Sequence, residues 1–97
     1  MKRKVRTMDE SLTLNNGTVI DGGSAGYSQG RLWCYFTGYT IQEAAALFFD
    51  PAKTSHIVYQ YGSHTTEYDG FTECTYIGID VDGNVSLSLK KGETENV

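Results

Sequence analysis

The chain is poor in proline, in cysteine and in long apolar runs, and each shortage excludes a class of protein. One proline beside 11 glycines in 97 residues is typical of short strands joined by tight turns, not of a proline-rich disordered chain. Two cysteines are too few for a disulfide scaffold. No run approaches the roughly 18–20 apolar residues of a membrane span, and no apolar segment of a secretory signal follows the N-terminal bases. We therefore expect a cytoplasmic protein with no membrane partner.

Positive charge is scarce beyond Thr7. Half of the eight basic residues precede it, and the rest of the chain carries four bases against all twelve acids, a net charge of −8. Phosphate contacts dominate affinity for nucleic acid, so this surface disfavours duplex nucleic acid as a partner. The charge favours a basic protein or a small ligand instead.

The length of 97 residues corresponds to one domain. The charged residues 1–9 and the polar residues 92–97 are interpreted as flexible tails on either side of a single domain of residues 10–91. A core of this size leaves a small stability margin, so self-association into a homo-oligomer would be favourable.

A single segment has the start and stop signals of a helix, which we predict over about residues 41–50. Thr40 and Glu43 have the spacing of a capping box, in which each side chain accepts a backbone N–H of the first turn. Apolar residues follow at helical spacing. Pro51 disfavours helical geometry in the residue before it and so ends the helix.

Period-two alternation predicts about six to seven short strands, of which 31–37 and 55–61 have the strongest pattern. Asn16-Gly17 is typical of a type I′ hairpin turn, in which both central residues have positive φ. The glycine-rich segment 21–30 is interpreted as a long connection. The sequence therefore predicts an α+β domain, in which one helix packs on one face of a twisted antiparallel sheet.

No catalytic or metal-binding pattern is present. Cys34 and Cys74 could combine with His56 and His64 as a nucleophile–base pair or a zinc site, but no local spacing supports either. We interpret the cysteines as buried free thiols, with a cross-strand disulfide as the alternative. The acidic segment 80–84 lacks the glycine and glutamate of a calcium loop. The sequence therefore predicts a protein that is not an enzyme and uses no metal or cofactor.

Aromatic residues are the main candidates for a binding surface. Seven Tyr, four Phe and one Trp exceed what a core of this size requires. Trp and Tyr bury a large area at low entropic cost, although core packing and cross-strand pairing are an alternative role. A nucleotide-like ligand would also need positive charge nearby. The predicted binding residues are Tyr27, Arg31, Trp33, Tyr35, Lys53, Tyr59 and Tyr61.

Several segments between about Leu12 and Lys91 carry a family resemblance. They read LTLNNGT, RLWCYFTGYTIQEAAALFFDPAKTSHIVYQY, YDGFTE and VSLSLKK. In these segments the chain resembles small uncharacterised β-rich proteins encoded by tailed bacteriophages and prophages of Gram-positive bacteria. The resemblance implies a viral origin and no more, and it brings no catalytic residues. Action in the host cytoplasm is expected from the function hypothesis given next.

Viral origin and spare aromatic residues suggest two functions. The first is a non-enzymatic accessory protein that inhibits bacterial antiviral defence, either by blocking a host protein effector or by sequestering a small nucleotide-like signal. The second is a structural tail or baseplate accessory protein that assembles through exposed β-edges. An enzyme is the least supported class.

Overall fold

The computed structural model describes residues 10–92, which form eight strands and two short helices. The predicted N-terminal tail and residues 93–97 of the predicted C-terminal tail lie outside the described residues. In chain order the elements are β1 (Glu10–Thr13), β2 (Val19–Asp21), β3 (Ser24–Ser28), β4 (Arg31–Phe36), α1 (Ile41–Phe48), α2 (Pro51–Thr54), β5 (His56–Tyr61), β6 (His64–Asp69), β7 (Glu73–Ile79) and β8 (Val85–Lys90).

The strands form two four-stranded antiparallel sheets. The first sheet has the order β2-β1-β5-β6 and the second has the order β3-β4-β8-β7. The predicted α+β class and the antiparallel pairing are confirmed, whereas the single sheet of six to seven strands is wrong. Alternation indicates which side of each strand is apolar, but one covered sheet and two facing sheets produce the same alternation.

The inner faces of the two sheets and helix α1 enclose one core. Phe48 of α1 stacks on Phe36 of β4, with ring centroids 5.5 Å apart. Aliphatic side chains from both sheets complete the core and are fully buried. They are Leu12, Ile20 and Ile57 in the first sheet and Leu32, Val85, Leu87 and Leu89 in the second.

The predicted helix is present, but it is shorter than predicted and a second helix follows it. The Thr40 hydroxyl accepts the Glu43 N–H at 3.0 Å, and the Glu43 carboxylate accepts the Thr40 N–H at 2.9 Å, which completes the capping box. Helix α1 ends at Phe48, and Asp50 caps α2, in which Pro51 is the first residue. Proline is favoured there because the N–H that it lacks has no partner within a helix.

The glycine-rich segment 21–30 contains β3 and is not the long connection that was predicted. Strand β3 pairs with β4 from Ser24 opposite Tyr35 to Ser28 opposite Arg31. A segment with few bulky side chains has weak strand propensity by itself, so its pairing with a central strand determines its structure. The second sheet thereby gains an edge strand of small residues.

The structure contains a type I′ hairpin turn at a position where the sequence does not predict one, and a different turn at the position where it does. Gln29 and Gly30 both have positive φ, 55° and 79°, as a type I′ turn requires. At the predicted type I′ turn, Gly17 has a φ of 91° but Asn16 is not in the positive region. The Leu14 carbonyl accepts the Gly17 N–H at 2.9 Å, which gives a type I turn followed by a left-handed glycine. The hairpin is therefore confirmed, but its turn type is not.

Candidate functional site

The outer side of the second sheet carries aromatic rings set among small residues. Trp33 and Tyr35 project from β4, and Tyr76 projects from β7, two strands away. Tyr35 and Tyr76 are 49% and 52% exposed. Serines and glycines pair with these aromatics on the neighbouring strands. We call this surface the aromatic face and define it as Ser24, Gly26, Trp33, Tyr35, Tyr76, Gly78 and Ser86; Ser88 lies beneath it and is fully buried.

A β-bulge in β7 places Tyr76 on the aromatic face. Cys74 pairs with Leu89 on the inner side, whereas Tyr76 pairs with Ser88 on the outer side. Thr75 is the extra residue, and its hydroxyl oxygen lies 2.7 Å from the Ser88 hydroxyl oxygen. Regular alternation would put Tyr76 on the same side as Cys74, so the bulge exposes this ring.

Two shallow depressions lie on the aromatic face on either side of Tyr35. The larger has a volume of about 590 Å³, and its lining includes Tyr35, Tyr76 and the hydroxyl-bearing Ser24 and Ser86. The smaller has a volume of about 390 Å³ and lies beside Trp33. Both volumes lie in the range of small-molecule and side-chain binding sites. Tyr35 is therefore the ring shared by two adjoining sites.

Asp80 lines the larger depression where β7 turns into β8. Its carboxylate accepts the backbone N–H groups of Asp82 and Asn84, both at 2.9 Å, and the Asn84 side-chain amide at 3.0 Å. The bonds from Asn84 are the largest cause of a lowered pKa for Asp80. Among residues 10–92, Asp80 forms no ion pair with a basic side chain. Asp80 is therefore a fixed negative charge at the end of the aromatic face.

Four of the predicted binding residues lie on or beside the aromatic face. Arg31, Trp33 and Tyr35 alternate along the outer side of β4, as the sequence predicts. Tyr27 pairs with Leu32 and so belongs to the inner side of β3, where its ring lies 5.8 Å from the ring of Phe71, although Tyr27 also lines the smaller depression beside the aromatic face. The segment around β4 thus contributes several predicted residues to one surface.

The other three predicted residues lie elsewhere. The Tyr59 hydroxyl donates to the Glu10 carboxylate at 2.7 Å, and burial together with this bond raises the pKa of Tyr59 to about 12. Tyr61 stacks on Tyr59 with ring centroids 6.4 Å apart, and both belong to the first sheet. Lys53 lies in α2 and pairs with Asp50 at 3.7 Å. These residues do not contribute to the aromatic face.

Tyr76 and Asp80 are the site residues that sequence reasoning misses. The bulge that turns Tyr76 outward has no sequence signal, because Thr75 is an ordinary strand residue. Asp80 has a signal, since an Asp three residues before a glycine is typical of a hairpin turn, but its position beside two rings depends on sheet order. The aromatic face therefore extends beyond β4, the strand from which the sequence analysis predicted it.

The cysteines and histidines do not assemble into a reactive site within the described part of the chain. Cys34 is fully buried, and burial raises the pKa of its thiol to about 12, so the nucleophilic thiolate scarcely forms. Strand β8 separates Cys34 from Cys74, and both are free, as the first interpretation predicts, although Cys74 is half-buried. His56 contacts Asp69. No group of three or more His, Cys, Asp or Glu side chains there is arranged to hold a metal ion.

Comparison with known proteins does not assign a function to this chain. None of the helices in residues 10–92 is both long enough and apolar enough to cross a membrane. The chain matches no protein-family model, no curated protein and no solved structure. The proposals that follow therefore depend on the geometry of the aromatic face.

Proposed function

We propose that the protein is a non-enzymatic accessory protein that binds a host protein effector through the aromatic face. The observation that carries this proposal is the composition of that face: two exposed Tyr rings and a partly buried Trp ring, separated by Ser and Gly. Antibody paratopes have the same composition, because the rings supply large rigid contacts and the small residues supply adaptable hydrogen bonds. Arg31 lies at the margin of the face and adds the third residue type enriched in interface hot spots.

A protein partner is better supported than a nucleotide-like one. A nucleotide-like ligand would need positive charge, and Arg31 and Lys53 are the two basic residues among the predicted binding residues. Lys53, however, pairs with Asp50, and its ammonium donates to the Ala46 carbonyl at 3.3 Å. Residues 10–92 contain four basic and nine acidic residues, a net charge of −5. This charge repels phosphates and attracts a basic protein surface.

The antiviral context of the proposal comes from the resemblance to phage-encoded proteins. A small viral protein without a reactive centre can act on a host effector by covering the surface that the effector needs. In the host cytoplasm, the aromatic face would occupy such a surface. Tight binding would then follow from a few central rings, since truncating a hot-spot residue costs about 2 kcal/mol or more, about 30-fold in affinity.

The test is a phage-restriction assay with two matched triple variants. The first, Trp33→Ser, Tyr35→Ser and Tyr76→Ser, removes the rings of the aromatic face. The second, Val19→Ser, Val58→Ser and Thr65→Ser, changes the outer side of the first sheet. Each is expressed in a Gram-positive host that restricts an incoming phage, and plating efficiency is measured together with capture of host proteins on the immobilised variant.

We expect the wild-type chain and the first-sheet variant to restore plating and to capture the same host protein. The aromatic-face variant should do neither, while its circular dichroism spectrum shows that it is folded. Restoration of plating by the aromatic-face variant would contradict the proposal, as would failure of the wild-type chain against every restricting host tested.

A structural role in the virion is the second candidate function, and the edge strand β6 favours it. Strand β6 pairs with β5 over six residues without a register shift, and its free edge has no proline or lysine. Proline and lysine are two of the protections that natural edge strands carry against further pairing; β6 has only the charges of Glu67 and Asp69. Of the other edges, β2 has three residues and β7 is bulged, whereas β3 pairs over five residues without a register shift and is one residue shorter than β6.

Purified phage particles distinguish the two functions. A virion component that assembles through β6 would be abundant in the particles by mass spectrometry. It would also elute as a multimer on a sizing column, and Thr65→Lys on the free edge would convert it to a monomer. An inhibitor of host defence would be absent from particles, and Thr65→Lys would not change its plating activity.

A further inference from the structure

The larger depression of the aromatic face has a lining suited to a positively charged side chain. Tyr35 and Tyr76 contribute aromatic rings, Ser24 and Ser86 contribute hydroxyl groups, and Asp80 contributes a carboxylate. In the part of the chain that the structure describes, no Lys, Arg or His lines this depression. The lining therefore offers ring faces, hydrogen-bond acceptors and a negative charge with no compensating cation.

The two rings stand on opposite sides of Ser86. Tyr35 pairs with Ser86, and Ser86 pairs with Gly78, so Tyr35 and Gly78 are separated by two strand spacings, about 9.6 Å. The ring of Tyr76 leans over Gly78, because a Cβ atom added to Gly78 would lie 2.5 Å from the Tyr76 hydroxyl oxygen. The rings therefore flank a slot whose floor is Ser86.

The carboxylate of Asp80 keeps capacity for one more hydrogen bond. Its Oδ1 accepts two N–H groups, from Asp82 and Asn84, and its Oδ2 accepts one, from the Asn84 amide. An ionised carboxylate has about four acceptor positions, which leaves one on Oδ2. Turn geometry thus fixes a charged acceptor at the end of the slot.

We propose that this depression receives an arginine side chain of the protein partner, an assignment that rests on the proposed function. A guanidinium is planar, stacks on aromatic faces and carries five N–H donors, which match the rings, hydroxyls and carboxylate of the lining. A phosphate would face Asp80 without a neutralising cation, and an apolar side chain would leave the acceptors unused. Arginine is the side chain that uses every part of the site.

The probe is acetyl-arginine-amide, and its control is acetyl-citrulline-amide, which has nearly the same shape but no charge. Both are titrated into ¹⁵N-labelled full-length protein and followed by NMR. We expect arginine to bind about tenfold more tightly than citrulline, because citrulline keeps the shape of arginine but lacks the charge that the ring faces and the carboxylate attract. The shifts should centre on Ser24, Tyr35 and Ser86.

Two pairs of variants test the charge and the ring separately. Asp80→Asn removes the charge of the slot and should abolish most of the preference for arginine over citrulline, whereas Asp82→Asn removes an equal charge outside the lining and should preserve it. Gly78→Ala displaces the Tyr76 ring and should weaken arginine binding severalfold. Its control is Gly26→Ala on the same face, where an added Cβ meets no atom within 4 Å.

Several outcomes would overturn the assignment. They are equal affinity for arginine and citrulline, equal affinity for acetyl-lysine-amide, shifts that centre away from the depression, or an Asp80→Asn variant that keeps the full preference. If host-protein capture still depends on the three rings in that case, the inference fails and the proposed function stands. If arginine is preferred but the ring variant still captures the host protein and restores plating, the proposed function fails instead.

Discussion

The two sheets have the same strand number and both contribute apolar side chains to the shared core, yet their outer faces differ in chemistry. On the first sheet, His56 lies between the carboxylates of Asp69 and Glu67, and its neighbours are mostly polar. On the second sheet, three aromatic side chains occupy the corresponding side, two of them about half exposed. The first sheet shows that this architecture does not require rings on the outside.

This difference between the outer faces suggests that different residues determine the stability of the fold and its contacts with other molecules. Tyr35 and Tyr76 on the outer side of the second sheet lie away from the shared core and stay about half exposed, so their full burial would require another molecule. Inner positions on both sheets should determine folding, and the aromatic face should determine binding. The following predictions compare matched positions, on the two sheets or within the first sheet.

The largest effects are expected at the inner faces. Leu12→Ala in the first sheet and Leu87→Ala in the second each empty a fully buried site, and each should cost about 3 kcal/mol of unfolding free energy. Urea denaturation measures both. Val19→Ala is the control, because Val19 is 55% exposed and its loss should cost within about 0.5 kcal/mol.

Equal costs with equal denaturant slopes would show that the sheets unfold as one unit. A cost for Leu12→Ala below that of Val19→Ala would contradict the shared core. A second, separate unfolding transition in either core variant would do the same.

The sequence predicts local structure here better than it predicts assembly. Thr40, Glu43 and Pro51 fix where helix α1 begins and where α2 must start, because capping and proline geometry involve residues three or four positions apart. The alternation in β4 likewise predicts that Trp33 and Tyr35 face outward. These signals are local, so the sequence of each helix or strand is enough to predict its own bounds and its outward-facing side chains.

The division into two sheets and the full extent of the aromatic face depend on distant residues. Strand β3 forms because β4 offers it a partner, although its own glycines and serines favour a loop. Tyr76 faces outward because Thr75 bulges where β7 meets β8. Neither the partner strand nor the bulge can be read from the segment itself, which is why the predicted site included Tyr59 and Tyr61 and omitted Tyr76.

A smaller effect should distinguish the tyrosines of the two sheets. Tyr59→Phe removes the hydrogen bond to the Glu10 carboxylate and should cost about 1 kcal/mol. Tyr35→Phe, on the aromatic face, should change stability within about 0.5 kcal/mol because the hydroxyl lies at an exposed surface. Thermal or urea unfolding measures both. Equal costs would mean that the tyrosines of the aromatic face also support the fold.

The smallest effect is expected on the outer side of the first sheet, where His56 gives stability a dependence on pH. The hydrogen bond to Asp69 is the main reason that the folded-state pKa of His56 lies above the ordinary value of 6.5, and Glu67 adds a charge at 3.6 Å from Nε2. The folded state therefore holds this proton more tightly than the unfolded state does. The stabilisation is complete below pH 6.5 and is lost as the pH rises through the higher folded-state pKa.

Replacing this histidine should therefore flatten the pH dependence of stability. The melting temperature of the wild-type chain should exceed that of His56→Asn by the most in acid, and the difference should shrink as the pH rises through this window. His64→Asn is the control, since it removes the other histidine of the same sheet. Added salt should weaken the effect because the pair is at the surface. If His56→Asn keeps the wild-type dependence of melting temperature on pH, or if His64→Asn removes it, the carboxylates on this face do not act on stability through His56. The charged outer face of the first sheet would then have no role in stability.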